Sequence, residues 1–183
     1  HPKSLPAVIF DDGEVITGDD LAPIAKKLGL QPTAKEELYE VAIIGAGPAG
    51  LAAGVYGGSE GLKTALIEKR APGGQAGTSS RIENYLGFPT GLSGADLSRR
   101  AISQATRFGI DFLVPQSVDE INFESNYKNL SMADGSKLNT KAVIVTTGVS
   151  YRMLQAEGLD KFTGAGVYYG AATTEATACK NQD

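Results

Sequence analysis

The strongest constraint on the fold of this chain is a glycine-rich turn, GAGPAG at residues 45–50, which directly follows the apolar run Val41–Ile44. A helix-like segment begins near Pro48, and a second strand-like segment follows at Lys63–Ile67. The pattern GxGxxG, placed between a strand and a helix inside a βαβ unit, is typical of dinucleotide-binding domains. The segment therefore predicts an α/β fold built on a parallel sheet.

Each glycine of the turn has its own expected role. Gly45 permits the tight turn, Gly47 lets the backbone approach a pyrophosphate, and Gly50 lets the helix pack close to the strand. The N-terminus of the helix would offer unpaired N–H groups and partial positive charge to the phosphates. The alternative is a glycine-rich turn in an ordinary βαβ fold that holds no ligand.

An acidic residue, Glu68, ends the second predicted strand. A carboxylate there accepts hydrogen bonds from the ribose hydroxyls of an adenosine and repels a 2′-phosphate, so FAD or NAD is favoured over NADP. Lys69 and Arg70 follow and would soften that exclusion. The next loop, around Gly74, has a bare backbone that suits close approach to a flat ring, although a flexible loop has the same composition. These residues leave FAD and NAD both open.

The segments after this loop extend the α/β prediction. Ser93 is expected to cap a helix that ends near Gly109. Residues 110–138 predict short strands with a turn at Asp134-Gly135, which would form a small antiparallel insertion. The apolar strand Ala142–Val145 is expected to lie in the parallel sheet with both faces buried.

Ahead of the glycine turn, residues 1–30 predict a short extension made of a hairpin and a helix. The strands are expected at 7–10 and 14–17 around an Asp-Gly turn, and the helix from about Leu21. This order resembles the second half of a thioredoxin-like fold. The polar residues 31–39 are expected to form a linker.

Composition argues against several classes of function. The only histidine is His1 and the only cysteine is Cys179, so no histidine catalysis, metal site or internal disulfide is expected. A net charge of −4 argues against nucleic acid as a partner, and the lack of a long apolar run argues against a membrane span. A lone thiol favours a reducing compartment, hence a cytoplasmic location.

Several motifs together resemble the FAD domain of low-molecular-weight thioredoxin reductases. They occur in the same order and at similar spacing: GAGPAG, Glu68, GGQ at 73–75, IENYLGFP at 82–89, GxxL at 94–97 and TTG at 146–148. The resemblance covers roughly residues 39–175. It implies a Rossmann-like FAD-binding domain, with a parallel sheet, helices and a small antiparallel β insertion, that belongs to an FAD-dependent pyridine nucleotide-disulphide oxidoreductase.

The resemblance also implies how FAD would be held. The implied cofactor-binding residues are Gly45, Gly47, Pro48, Ala49, Gly50, Glu68, Lys69, Gly74, Gln75, Asn84, Val118, Thr147 and Gly148. By this resemblance Asn84 lies beside the isoalloxazine and the backbone of Val118 meets the adenine. Thr147 and Gly148 belong to the loop that packs against the cofactor. No catalytic residue and no metal ligand are implied.

The chain departs from the family in two respects. Alignment on Gly166-Val167 puts Gly170 and Thr173 where the family has the cysteines of Cys-x-x-Cys, and no fingerprint of an NADPH domain follows. The expected organisation is a partial thioredoxin-like or receiver-like module at 1–30, a linker at 31–39, the N-terminal part of the FAD domain at 40–175, and the start of a missing NADPH domain at 176–183.

The expected function is that of an NAD(P)H-dependent FAD oxidoreductase. Hydride would pass from NAD(P)H to FAD, and electrons then to an external disulfide, a thioredoxin-like module or another acceptor. A homodimer is expected, and the fragment alone is expected to be inactive. The alternatives are an FAD- or nucleotide-binding module without turnover, a ferredoxin–NADP reductase of the thioredoxin-reductase-like type, and a structural fragment that holds no ligand.

Overall fold

The computed structural model describes residues 7–18, 22–27 and 34–150, and also 152, 154–156, 158–162 and 167. The chain divides into two compact units, His1–Gly148 and Val149–Asp183. In the second unit the described structure includes a short 3-10 helix at Leu159–Lys161. Several sequence predictions fall outside the described residues. They concern Gly170 and Thr173, which the resemblance aligns with the family's cysteines, together with Cys179 and the segment 176–183.

The first unit starts with the hairpin and helix predicted from the sequence. Strands β1 (Ala7–Ile9) and β2 (Val15–Thr17) pair antiparallel, and helix α1 (Ala22–Lys27) follows. The ammonium group of Lys27 pairs with the carboxylates of Asp12 and Glu14, which ties the end of the helix to the hairpin turn. The predicted order of elements is confirmed.

A six-stranded mixed sheet forms the centre of the first unit. Its further strands are β3 (Tyr39–Ile44), β4 (Thr64–Ile67), β5 (Asp111–Leu113), β6 (Val118–Phe123), β7 (Lys128–Met132) and β8 (Lys137–Val145). The spatial order is β5-β4-β3-β8-β7-β6, in which β5, β4, β3 and β8 run parallel and β8, β7 and β6 pair antiparallel. This is the predicted Rossmann-like sheet with its antiparallel insertion.

Two helices complete this fold, α2 (Pro48–Ser59) and α3 (Gly94–Arg107). Leu51 of α2 packs with Ile43 and Leu66 of the sheet in one fully buried core cluster. A second cluster includes Leu113 together with Leu130 of the insertion. Within the described ranges, no helix has both the length and the apolar character needed to cross a membrane.

Two strands differ from expectation. Strand β3 begins at Tyr39, inside the segment expected to be a linker, and that side chain is 1% exposed because it packs in the second core cluster. Strand β8 runs parallel to β3 as predicted, but its expected burial on both faces is wrong, since Ile144 and Val145 are 39% and 61% exposed. The helices pack mainly over β3 and β4, so the end of β8 stays uncovered by the described residues.

Candidate functional site

The glycine turn joins the carboxyl end of β3 to the N-terminus of α2. Gly45 has φ of 104°, a conformation that favours glycine, and a Cβ there would lie 2.4 Å from the carbonyl oxygen of Thr146. A Cβ on Gly50 would lie 1.9 Å from the carbonyl oxygen of Gly45. The chain's own backbone fills the space that a side chain would need, so the fold itself requires glycine at both positions.

Gly47 has no such structural requirement. Its φ of −71° and ψ of −176° are extended values that any residue adopts, and a Cβ there would meet no heavy atom within 4 Å. Gly47 is also the N-cap of α2, and no side chain caps this helix. The first N–H groups of a helix have no acceptor within it, here those of Ala49 and Gly50, because Pro48 carries none. An open space therefore adjoins a helix N-terminus that no side chain caps.

The carboxylate of Glu68 links the end of β4 to this turn. Its Oε2 accepts a hydrogen bond from the backbone N–H of Ala46 at 2.9 Å, and its Oε1 accepts one from the N–H of Arg70 at 2.9 Å. Each carboxylate oxygen has two lone pairs, so both retain capacity for a further donor such as a ribose hydroxyl. Lys69, which lies between Glu68 and Arg70 in the sequence, is exposed.

The glycine loop after β4 lies directly against the turn. The N–H of Gly73 donates to the carbonyl oxygen of Ala46 at 2.7 Å. A Cβ on Gly74 would lie 3.0 Å from the Cα of Gly47, so the two backbones are in close contact. Gln75 is exposed and opens the short 3-10 helix Gln75–Thr78. The structure thus brings the two glycine-rich segments together.

The segment that follows β8 packs against the same turn. The hydroxyl of Thr146 lies 2.8 Å from the carbonyl oxygen of Gly45 and 3.0 Å from that of Ile44, and donates to these acceptors. Thr147 and Gly148 come next and are exposed. The carboxyl ends of three parallel strands therefore converge on the turn, as expected for a ligand site in an open α/β sheet.

Two of the predicted residues are less directly connected. Asn84 is exposed in a loop closed by the bridge between Ile82 and Leu92, and no hydrogen bond among the described residues joins it to the turn. Val118 opens β6 and is half-buried; Gln116, two residues earlier, donates its N–H to the carbonyl oxygen of Glu68 at 2.8 Å. Val118 thus follows a segment that is bonded to the end of β4.

Sequence reasoning missed two residues of this cluster, Ala46 and Thr146. Ala46 contributes only its backbone N–H and carbonyl groups, which carry no signal in the residue type. Thr146 was visible as a hydroxyl placed directly after an apolar strand. In the described part of the chain, no three histidine, cysteine, aspartate or glutamate side chains cluster as a metal site would require.

Comparison with known proteins gives consistent matches. The sequence profile described as pyridine nucleotide-disulphide oxidoreductase matches residues 39–181. The thioredoxin reductase of Ureaplasma parvum is 37% identical over 136 residues, which are 74% of this chain and 43% of that protein. That of Listeria monocytogenes is 35% identical over 149 residues, 81% of this chain and 46% of that protein. The chain thus spans less than half the length of these curated relatives.

Solved structures give the same result. The crystal structure of thioredoxin reductase from Streptococcus pyogenes matches with a TM-score of 0.62 and 33% identity, over 69% of this chain and 40% of that one. The thioredoxin reductase of T. acidophilum matches with a TM-score of 0.63 and 29% identity, over 72% of this chain and 42% of that one.

Proposed function

The chain belongs to the pyridine nucleotide-disulphide oxidoreductase family, and from that premise we propose that it is the FAD-binding portion of an NAD(P)H-dependent oxidoreductase of thioredoxin-reductase type. Bound FAD would supply a two-electron carrier between a nicotinamide hydride donor and an acceptor disulfide. The role of this chain is to hold and orient that cofactor at the carboxyl ends of β3, β4 and β8.

The observation that carries the proposal is the missing side chain at Gly47. Its extended backbone and the empty space around its Cβ position mean that the protein does not require glycine there. A pyrophosphate does require it, because phosphate oxygens must come within hydrogen-bonding distance of backbone N–H groups at the N-terminus of the helix. A Cβ on Gly47 would project into that space. The residues at this site therefore fit the cofactor.

Other residues have roles that follow from their position. Ala49 and Gly50 would donate N–H groups to the pyrophosphate, while Gly45 and Pro48 fix the backbone that presents them. Glu68 would accept from the adenosine ribose, with Lys69 at its rim. The remaining residues proposed to contact FAD are Gly74, Gln75, Asn84, Val118, Thr147 and Gly148, near the ribityl group, the flavin and the adenine.

The acceptor is proposed to be external to these residues. A disulfide requires two thiols, and the 183-residue sequence contains the single cysteine Cys179. Electrons would therefore leave the flavin for a thioredoxin-like disulfide or another acceptor. The proposal also includes residues 40–175 as the FAD-binding region, residues 1–30 as a separate module, a homodimer and a cytoplasmic location; these parts rest on the family resemblance and the composition.

The same single cysteine favours a second candidate, an FAD-binding module without turnover. The two candidates differ in one measurable property. Where these residues occur within a longer protein, anaerobic addition of NADPH or NADH bleaches the visible flavin absorbance of an enzyme. Flavin that stays oxidised with both donors supports the module. A ferredoxin–NADP reductase would also be bleached, and would pass its electrons to ferredoxin rather than to a disulfide.

The test of FAD binding is a titration of the 183-residue chain with FAD, followed by flavin fluorescence and calorimetry. We expect Gly47→Val to weaken FAD binding by at least about tenfold, or ~1.4 kcal/mol, because the side chain enters the pyrophosphate space. The unfolding transition should change little, since a Cβ at this position would meet no heavy atom within 4 Å. Gln104→Val, at an exposed position of α3, is the matched control and should bind FAD like the unaltered chain.

Two results would contradict the proposal. One is that the unaltered chain takes up no FAD. The other is that Gly47→Val binds FAD as tightly as the unaltered chain does, which would mean that the space beside Gly47 is not occupied by the cofactor.

A further inference from the structure

A cavity of about 480 Å³ lies between the loop after β4 and helix α3. Its lining includes Pro72, Gly77, Ala95, Ser98, Arg99 and Ile102. Gly74 borders this cavity as well as the glycine turn, and four of the lining residues belong to α3. This volume is within the range of small-molecule sites in proteins.

Ser98 is the unusual member of this lining. The residue is 8% exposed, and among the described residues its hydroxyl neither donates nor accepts a hydrogen bond. Its Oγ lies 2.7 Å from the position that a Cβ on Gly73 would take, and 3.2 Å from that of a Cβ on Gly77. The buried hydroxyl therefore packs closely against these two glycines, which offer it no side-chain partner. A buried polar group without a partner is costly in free energy, and beside a cavity it points to a bound partner.

Charge in the same cavity favours an anion. Arg99 lines it, and its guanidinium donates one hydrogen bond from Nη2 to Asp96 Oδ1 at 2.7 Å. A guanidinium has five N–H donors, so several remain after that bond. Ala95 belongs to the first turn of α3, where the partial positive charge of the helix also favours an anion. The carboxylate of Asp96 opposes this preference, but its pairing with Arg99 offsets part of its charge.

Apart from Thr78, whose hydroxyl donates to the carbonyl oxygen of Gln75 at 2.9 Å, the other side chains of the lining are apolar. Pro72, Ala95 and Ile102 present aliphatic surface and no side-chain hydrogen-bonding group. A free inorganic ion would leave that surface in contact with water. A ligand with an apolar body would cover it, while its charged group meets Ser98 and Arg99.

We propose that this cavity binds a small organic anion, with an apolar ring against Pro72 and Ile102 and an anionic oxygen that accepts hydrogen bonds from Ser98 and Arg99. The inference goes beyond the proposed function, because it concerns a ligand other than FAD and a surface formed by α3 together with the loop after β4. It does not require that FAD bind to the glycine turn.

The test uses 8-anilinonaphthalene-1-sulfonate, a fluorescent dye with an apolar ring system and one sulfonate, and the full 183-residue chain. We expect saturable binding at one site. Ser98→Ala and Arg99→Gln should each weaken it by at least fivefold. The matched controls Ser80→Ala, in an exposed loop, and Arg107→Gln, at the far end of α3, should bind the dye like the unaltered chain.

The preference for an anion is tested by competition. We expect 1-naphthoate to displace the dye and the neutral 1-naphthamide to displace it at least tenfold less effectively. Equal displacement by both compounds would overturn the anion assignment. Absence of saturable dye binding, or equal affinity in Ser98→Ala and the controls, would overturn the site itself and would leave a water molecule as the partner of Ser98.

The same variants separate this inference from the proposed function. Gly47→Val should lose FAD binding and keep dye binding, whereas Ser98→Ala should lose dye binding and keep FAD binding. Loss of both ligands in both variants would show one shared site and would contradict a second one.

Discussion

The hydroxyl of Tyr39 donates a hydrogen bond to Oδ2 of Asp111 at 2.9 Å and joins strand β3 to the edge strand β5. The same hydroxyl accepts a hydrogen bond from the backbone N–H of Lys35 at 3.0 Å. The ammonium group of Lys35 pairs in turn with Asp111. This three-residue cluster fixes the chain just before the sheet begins, at a place where composition indicates a linker.

Replacement of Tyr39 by phenylalanine tests this cluster. We expect Tyr39→Phe to lower the free energy of unfolding by about 1–2 kcal/mol, because Asp111 loses a donor and the N–H of Lys35 loses its acceptor. Urea denaturation measures the change. Tyr56→Phe is the control, since Tyr56 is 73% exposed, and we expect it to change the stability by less than about 0.5 kcal/mol. Equal effects in the two variants would show that the buried hydrogen bonds contribute nothing.

The stability of the chain should also depend on Tyr39 at alkaline pH. Burial, together with the hydrogen bond and negative charge of Asp111, raises the pKa of Tyr39 above its ordinary value of 10.0. The unfolded chain then loses this proton at lower pH than the folded chain does. The contribution of Tyr39 is therefore complete below about pH 10 and is lost as the pH rises above that value through the raised pKa.

We accordingly expect the urea midpoint of the unaltered chain to fall more steeply than that of Tyr39→Phe between pH ~9 and pH ~11. Parallel declines in the two proteins would mean that other groups cause the alkaline loss. The spectroscopic titration of tyrosinate should show one late-titrating phenol in the unaltered chain that is absent from Tyr39→Phe.

Glu68→Gln tests whether the carboxylate at the end of β4 serves the adenosine. The amide offers one acceptor oxygen instead of two, so one of the N–H groups of Ala46 and Arg70 loses its partner and a ribose hydroxyl loses a charged acceptor. We expect FAD affinity to fall by about tenfold, or ~1.4 kcal/mol, as measured by titration. Glu83→Gln, in the exposed loop after β4, should bind FAD normally.

FMN is the ligand control for this substitution, because it carries the flavin without the adenosine. Glu68→Gln should leave its affinity unchanged. A similar loss for FMN and FAD would mean that Glu68 acts by shaping the turn and not by binding the ribose.

Thr146 is expected to hold the glycine turn in place from the end of β8. Thr146→Val removes the hydroxyl that bonds to the carbonyl oxygens of Gly45 and Ile44 and should lower the free energy of unfolding by about 1 kcal/mol. Thr146→Ser keeps the hydroxyl and should recover most of that loss. If serine destabilises the chain as much as valine does, the methyl group and not the hydroxyl is responsible.

Local chemistry was enough to predict the elements around the site. The glycine turn between two apolar segments predicted β3, α2 and β4, and Ser93 was correctly predicted as the N-cap of α3, where its Oγ accepts the N–H of Asp96 at 3.1 Å. The turn at Asp134-Gly135 was also predicted correctly, because an Asp-Gly pair between two strand-like segments is a strong local signal.

What the sequence did not predict depends on partners that are distant along the chain. The burial of Tyr39 depends on β5 and the insertion, and the exposure of Val145 depends on which strands the helices cover. Ala46 holds the Glu68 carboxylate through its backbone N–H, and a backbone group cannot be predicted from the residue type. The cofactor assignments themselves remain predictions of the sequence that the proposed titrations test.

Strand β8 pairs with β3 on one side and with β7 on the other, through one continuous backbone. Thr140 pairs with Lys128 of β7 on one side and with Tyr39 of β3 on the other. The number of residues between the Asp134-Gly135 turn and Thr146 is therefore constrained, since one added residue would exchange the two faces of the strand. The tip of the β6–β7 hairpin at Ser125-Asn126 has no such constraint, and it offers a place where a spectroscopic label or an affinity tag can be inserted without disturbing the carboxyl ends of the parallel strands.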